Sequence, residues 1–224
     1  MNKYINYNMI KIIVIILLSF LLFLNISKKN TEKFYNLSDN IIRFENEINQ
    51  FDYSSDFVFI TSSYNQNQFV EKNLNSIKNQ NYPRNKFRII YVNDNSTDNT
   101  ENTVKKFMAL NRDINIELIN NEKNMGPAFS RYISCKKCKN DEICVFLDGD
   151  DFLVNNSTLS ILSYIYNNYD IYATFGSMLN ESWQYNRWKM YIRNHKVNYY
   201  PHLRTARANI CKKIPVEYLK YNNQ

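Results

Sequence analysis

Short apolar runs and longer amphipathic segments alternate from Phe57 to Asp148, and this alternation limits the possible folds more than any other feature of the sequence. Four apolar runs have the length and the β-branched or aromatic content of strands, namely "FVFITSS", "FRIIYVND", "INIELIN" and "EICVFLD". Between them, apolar residues at helical spacing predict helices over 66–80, 98–110 and 127–137. Strands that alternate with helices form βαβ units, so we expect an α/β domain with a mainly parallel, Rossmann-like sheet flanked by helices.

Polar segments follow the predicted strands at the points where the strands end. Their sequences are "SSYNQ" (62–66), "NDNSTD" (93–98), "NEKNMGPAFSR" (121–131) and "DGDD" (148–151). In open parallel sheets, ligands bind outside the carboxyl ends of the strands. We therefore expect any binding site to use side chains from these four segments.

The last of these segments places Asp148, Asp150 and Asp151 within four residues. Like charges at this spacing raise one another's pKa unless a positive group lies among them. A solvated acidic loop is the structural alternative. Mg²⁺ commonly binds through one or two carboxylates together with substrate phosphates, so a metal-bound diphosphate is the positive partner that we expect. Gly149, one of three glycines in the chain, is expected to allow a tight backbone path.

Asp94 and Arg131 each have a structural and a functional interpretation. In "VNDNSTDNT", Ser96 or Thr97 can cap the following helix, whereas Asp94 precedes the cap and is placed to accept hydrogen bonds from a ribose or a base. In "NMGPAFSR", Gly126 and Pro127 are a favourable helix start. Arg131, one turn into that helix, is either solvated or paired with a diphosphate.

Together these segments resemble the family 2 glycosyltransferases, whose nucleotide-binding α/β domain is called GT-A. The resemblance runs from about Val58 to Leu153 and depends on the order and spacing of "TSSYNQNQFVEKNLNSIKNQNYP", "RIIYVNDNSTDNT", "NEKNMGPAFSR" and "VFLDGDD", which contains a DxD-type motif as "DGD". It implies transfer of a sugar from a nucleotide-diphosphate sugar, expected to be a UDP sugar, to an acceptor hydroxyl with inversion. A shortened member of the family also fits the pattern.

The resemblance further implies roles for individual residues. The donor is expected to contact Ser62, Tyr64, Asn65, Asp94, Arg131 and Asp148, and also His202 and Arg204 of "PHLRT". Mn²⁺ or Mg²⁺ is expected on Asp148, Asp150 and Asp151. The base that removes the acceptor proton normally lies downstream of the DxD motif. Residues 177–224 contain two acidic side chains, Glu181 and Glu217, and neither lies in a recognised base motif. The base is therefore unassigned, and the sequence does not identify the acceptor.

Two other functions fit part of the pattern. The first is a truncated, non-catalytic module that binds a nucleotide sugar without transferring it. The second is a nucleotidyltransferase on a similar sheet, although its usual glycine-rich phosphate loop is missing, because "TSSYNQNQ" has no glycine. Nucleic acid is not an expected partner. The net charge of +7 is concentrated in residues 177–224, which form neither a continuous basic run nor a nucleic-acid-binding module.

A membrane segment is predicted near the start of the chain. Residues 9–26, "MIKIIVIILLSFLLFLNI", are almost wholly apolar, and no small-x-small cleavage pattern follows them, which favours an uncleaved anchor over a signal peptide. Lysines flank the run on both sides, so the side of the membrane is left open. The expected organisation is a tail (1–8), a transmembrane anchor (9–27), a stem (28–54), a GT-A core (55–176) and a partial acceptor-side segment (177–224).

The four cysteines do not predict a metal site from their spacing. Cys135 and Cys138 have the spacing of half a zinc site, but no second pair follows, and the two histidines are distant in sequence. Ordinary thiols at a helix end are therefore expected. In an oxidising compartment, Cys135 and Cys138 would be candidates for a local disulfide.

Overall fold

The computed structural model describes residues 53–175 and 203–215. Of the described residues, 53–173 and 204–215 belong to one compact unit, and 174, 175 and 203 belong to a second. The first unit contains nearly all of the described residues. No helix within these ranges has the length and apolarity needed to span a membrane. The predicted anchor and all but the last two residues of the predicted stem lie outside them.

Strands and helices alternate along the described chain. The strands are β1 (Phe57–Ser63), β2 (Phe87–Asn93), β3 (Ile116–Asn120), β4 (Ile143–Phe146), β5 (Ala173–Phe175) and β6 (Arg204–Arg207). The helices are α1 (Asn67–Lys78), α2 (Thr100–Leu110), α3 (Gly126–Lys136), α4 (Thr158–Asn168) and the single turn α5 (Ala208–Cys211), with a short 3₁₀ helix at Arg84–Lys86. The four strands and three helices expected before residue 148 are therefore confirmed, with end shifts of at most two residues.

The sheet has the strand order β3-β2-β1-β4-β6, with β5 as its sixth and outer strand. Strands β1 to β4 are parallel to one another, which confirms the expected βαβ arrangement. Strand β6 is antiparallel to β4, so the sheet is mixed rather than wholly parallel. Polar and charged residues make up most of "RTAR", and for this reason β6 does not stand out as an apolar run in the sequence.

The core lies on both faces of β1 and β2. On one face, Val58, Ile60, Ile90 and Val92 are buried against a group of cysteines from α3, β4 and α5. On the other face, Phe59 and Phe87 meet edge to face, with their ring centroids 6.3 Å apart. Because both faces of these strands are covered, their sequences are continuously apolar rather than alternating.

Candidate functional site

Six segments meet at one edge of the sheet. Parallel strands β1 to β4 bring their carboxyl ends to this edge, as expected for an open α/β sheet. Strand β6 runs the other way, and its register with β4 sets Arg204 opposite Phe146. The amino end of β6 therefore lies at the same edge as the carboxyl end of β4. Helix α3 adds Arg131 from its second turn.

The "DGDD" loop continues the pairing of β4 with β1 beyond the end of the strand. The Leu147 amide donates to the Ile60 carbonyl at 3.2 Å, and the Gly149 amide donates to the Ser62 carbonyl at 3.0 Å. A Cβ atom on Gly149 would lie 2.5 Å from the side-chain oxygen of Gln66 and 2.9 Å from the Ser62 carbonyl oxygen. Gly149 thus allows the close backbone approach that the sequence predicts.

Asn73 fixes the other side of this loop. Its side-chain amide donates to the carbonyl oxygens of Asp148, at 3.0 Å, and Asp151, at 2.8 Å. Asn73 is 1% exposed and lies on the inward face of α1. Sequence reasoning missed this residue, although a lone amide beside Val70, Leu74 and Ile77 is a recognisable signal, because a buried polar group requires a partner.

Two arginines hold the carboxylate of Asp148. Arg131 Nη2 pairs with one carboxylate oxygen, and Arg204 Nη2 lies 3.4 Å from the other. All three side chains are about one-quarter exposed, so the bridge is partly shielded from water. In the structure, the positive partners of the aspartate cluster are therefore protein guanidinium groups, whereas the sequence led us to expect a metal-bound diphosphate.

Asp150 is the most exposed of the three aspartates. Its side chain is exposed and makes no ion pair with any other residue in the described ranges, whereas Asp151 is partly buried. Within those ranges, the three aspartates do not bring three carboxylates close enough to hold an ion by themselves. Oxygen donors at this position fit a hard divalent cation that takes its remaining ligands from phosphate and water.

Asp94 accepts hydrogen bonds from the backbone amides at the start of helix α3. Its carboxylate accepts hydrogen bonds from the amides of Met125, at 2.9 Å, and Gly126, at 2.7 Å, and from the side chain of Asn121, at 2.6 Å. The carboxylate is 3% exposed and faces the positive end of the helix dipole. Gly126 has φ of +81°, a conformation that favours glycine. These contacts give Asp94 a structural role, and its expected contact with the donor stays a prediction.

Asn65 ties the loop after β1 to the loop after β2. Its side-chain oxygen accepts from the amides of Thr97, at 2.8 Å, and Asp98, at 3.3 Å. The start of α2 differs from the expected one. Asn99 is the N-cap and makes no side-chain cap hydrogen bond, and Asp98 rather than Ser96 or Thr97 accepts from the Thr100 amide. These bonds fix the loops that frame the edge.

The remaining candidates differ in their surroundings. The Tyr64 ring is 46% exposed beside the edge, which leaves its face open to a ligand. Ser62 is nearly buried at the end of β1. His202 and the two base candidates, Glu181 and Glu217, lie outside the described residues. The structure thus groups Arg131, Asp148 and Arg204 and places their neighbours at the same sheet edge.

Comparisons with known proteins agree with this arrangement. The sequence model of the family described as "Glycosyl transferase family 2" matches residues 58–218. The poly(ribitol-phosphate) β-N-acetylglucosaminyltransferase TarS of Staphylococcus aureus is 32% identical over 104 residues, which are 46% of this chain and 17% of TarS. An uncharacterized glycosyltransferase of Haemophilus influenzae is 27% identical over 136 residues, which are 61% of this chain and 52% of that protein.

Among solved structures, S. aureus TarS 1–349 in complex with UDP-GlcNAc is similar, with a TM-score of 0.44 and 30% identity. That similarity covers 48% of this chain and 30% of the TarS chain. The matched region is therefore less than two thirds of the length of each of these relatives.

Proposed function

Because the chain belongs to glycosyl transferase family 2, we propose that it transfers a sugar from a nucleotide-diphosphate sugar to an acceptor hydroxyl. The observation that carries the proposal is the bridge of Arg131, Asp148 and Arg204, with Asp150 exposed beside it. These groups offer positive charge and a free carboxylate at the edge where α/β sheets bind nucleotides. A diphosphate bound with a divalent cation needs positive groups for its phosphates and a carboxylate for the cation.

We propose a UDP sugar as the donor. The support comes from TarS, which is named as an N-acetylglucosaminyltransferase and binds UDP-GlcNAc in its solved structure. The nucleoside is proposed to contact Ser62 and Tyr64, since the exposed ring of Tyr64 offers an apolar face for stacking. Asn65 and Asp94 are proposed to shape this part of the site through the loops that they hold.

The two arginines stabilise the leaving group in this proposal. Negative charge grows on the diphosphate as its bond to the sugar breaks, and guanidinium groups already in place lower the energy of that transition state. Asp148 orients both arginines before the donor arrives, which reduces the reorganisation needed during the reaction. Asp150, with Asp148 and Asp151 beside it, is proposed to hold Mn²⁺ or Mg²⁺, which would supply Lewis-acid stabilisation of the same charge.

For the acceptor side of the reaction, the roles of residues are proposed from the reaction chemistry. Direct attack by the acceptor hydroxyl inverts the anomeric carbon and requires a base for the hydroxyl proton. We propose Glu181 or Glu217 as that base, and His202 as a further contact to the diphosphate. The apolar run at residues 9–27 supports a proposal that the protein is membrane-anchored, close to a lipid-linked or surface acceptor.

A thermal-shift screen with UDP-GlcNAc, UDP-glucose and GDP-mannose, each with and without Mn²⁺, tests donor binding. A ligand present at about 100 times its Kd stabilises the native state by about 2.7 kcal/mol, which raises the Tm by about 5–10 °C in a chain of this size. We expect a shift of this order with one UDP sugar and only when Mn²⁺ is present. Lack of a shift with every donor would contradict the proposal.

Two matched variants locate the metal-dependent step. Asp150→Asn should weaken Mn²⁺-dependent donor binding at least tenfold, because it removes a carboxylate ligand. Asp141→Asn, an exposed aspartate before the amino end of β4, should bind as wild type. Release of UDP in the presence of acceptor would then separate a transferase from a module that only binds. Donor binding without turnover by any acceptor preparation would favour the binding module.

A further inference from the structure

All four cysteines of the chain lie together in the core, in an arrangement that their spacing in the sequence does not predict. Cys135 lies near the end of α3, Cys138 in the turn after it, Cys144 in β4 and Cys211 at the end of α5. All four are free thiols, and each is 6% exposed or less. The expectation of ordinary thiols at a helix end considered only the "CKKC" pair. It missed that β4 and α5 supply the other two side chains.

Three of the sulfur atoms have separations close to those of a mononuclear metal site, and the fourth, that of Cys138, lies close to one of the three. The Sγ atoms of Cys135, Cys144 and Cys211 all lie within 4.8 Å of one another, and Cys144 Sγ lies 3.7 Å from Cys138 Sγ. Tetrahedral Zn²⁺ with Zn–S bonds of about 2.3 Å requires sulfur atoms about 3.8 Å apart. An ion at the centre of the three would lie at most about 2.8 Å from each, so a small contraction gives bonding distance.

We propose that Cys135, Cys138, Cys144 and Cys211 bind one structural Zn²⁺ ion. Thiolates are soft ligands, and a tetrahedral set of four selects zinc or iron over the hard cations that oxygen ligands bind. A multi-iron cluster would need more widely spaced sulfurs, because several iron atoms lie between its thiolates. Saturation by four protein ligands leaves no open position, which is typical of a structural rather than a catalytic ion.

The surroundings suit a zinc tetrathiolate, which carries a net charge of −2. Val58, Ile60, Ile90 and Val92 pack around the sulfurs and exclude water, which slows loss of the metal. Positive charge is concentrated in the sequence around the cysteines, in Lys136, Lys137, Lys139, Lys212 and Lys213. Lys136 also donates to the Lys212 carbonyl at 2.7 Å and so joins the two cysteine-bearing helices at the surface.

The ion would stabilise the segments that carry the arginine–aspartate bridge and would not itself take part in donor binding. Arg131 lies one helical turn before Cys135 on α3, Asp148 lies four residues after Cys144, and Arg204 begins the segment that ends at Cys211. Every member of the arginine–aspartate bridge is thus carried by a segment that also carries a zinc ligand. The inference is independent of the proposed transferase activity, because metal content is measured without donor or acceptor.

The first test is metal analysis of the full chain, purified under reducing conditions from zinc-supplemented cells. We expect about one Zn²⁺ per chain, and Co²⁺ exchanged into the site should give the visible bands of tetrahedral cobalt together with thiolate charge-transfer absorption. Refolding with zinc should raise the Tm relative to refolding with a chelator. Four reduced thiols with no bound metal after both treatments would overturn the proposal, and so would a mass that shows a disulfide.

Single substitutions identify the ligands. Cys135→Ser, Cys144→Ser and Cys211→Ser should each lower the zinc content at least tenfold, and Cys138→Ser should lower the charge-transfer intensity of the cobalt form. Val58→Ala is the matched control, because it opens a cavity beside the same cluster while leaving all four thiols in place. It should lower the Tm but keep the wild-type zinc content. If the serine variants kept their zinc, the four-cysteine site would be wrong.

Discussion

Two of the three glycines in the chain are required for different physical reasons. Gly126 has φ of +81°, and a Cβ atom there would meet nothing within 4 Å. Gly149 has no room, because a Cβ atom would lie 2.8 Å from the Ser63 Cβ and 2.9 Å from a backbone oxygen. The first position therefore needs glycine for its backbone conformation, and the second needs glycine because the loop after β4 closely approaches the end of β1.

This difference predicts unequal effects of alanine. Gly149→Ala should lower the free energy of unfolding by about 1–3 kcal/mol through overpacking and should also weaken donor binding, because the loop that carries Asp148 must shift. Gly126→Ala should cost about 1–2 kcal/mol through backbone strain alone. Urea denaturation and donor titration measure the two effects. Equal loss of donor affinity in both variants would contradict the account of Gly149.

At the scale of elements, helix α3 connects the edge to the core. Asp94, at the end of β2, holds the amides at the start of the helix, and Arg131 and Cys135 follow on successive turns. The position of Arg131 relative to Asp148 therefore depends on how firmly the helix start is held. A buried carboxylate that accepts three hydrogen bonds is a strong constraint on the segments that donate them.

Asp94→Ala should lower the free energy of unfolding by about 1–3 kcal/mol, because it removes the partner of the Met125 amide and leaves the Gly126 amide with the Asn124 side-chain oxygen alone, at 3.1 Å. Asp98→Ala is the comparison, since Asp98 accepts from the start of α2 and from the Asn67 amide but is more exposed, and it should cost about 1 kcal/mol. Chemical denaturation gives both values. If Asp94 contacts the nucleoside directly, Asp94→Ala should lose UDP affinity even when circular dichroism shows that helix α3 is intact.

For the whole molecule, the sequence predicts the first four strands and the edge they form, because long apolar runs and the "DGDD" segment carry strong local signals. It does not predict what completes that edge. Arg204 reaches Asp148 through the antiparallel pairing of a four-residue polar strand, and Cys211 reaches Cys135 through the helix that follows. Contacts between segments some 56 or more residues apart leave no local pattern. Helix α4 is different, because its apolar residues at helical spacing are a local pattern that our sequence prediction did not use.

Strand β6 is expected to be essential for solubility as well as for the edge. A chain ending at residue 203 lacks the partner of β4 and exposes the edge of the apolar sequence "ICVF", which is a template for intermolecular strand pairing. A chain ending at residue 215 keeps β6 and α5 and is the matched control. Size-exclusion chromatography should show aggregates for the first chain and monodisperse protein for the second. Monodisperse protein from both chains would show that β6 is dispensable.

The distance between β4 and β6 along the chain also has a consequence for protein synthesis. Phe146 leaves the ribosome 58 residues before its partner Arg204, which corresponds to a delay of about 3–12 seconds at typical elongation rates. During this interval the nascent chain carries an uncovered strand edge. Slow codons or ribosome pausing within that stretch would lengthen the exposure, and faster elongation or a bound chaperone would shorten it. The yield of folded protein is therefore expected to depend on how the gene is translated between these two positions.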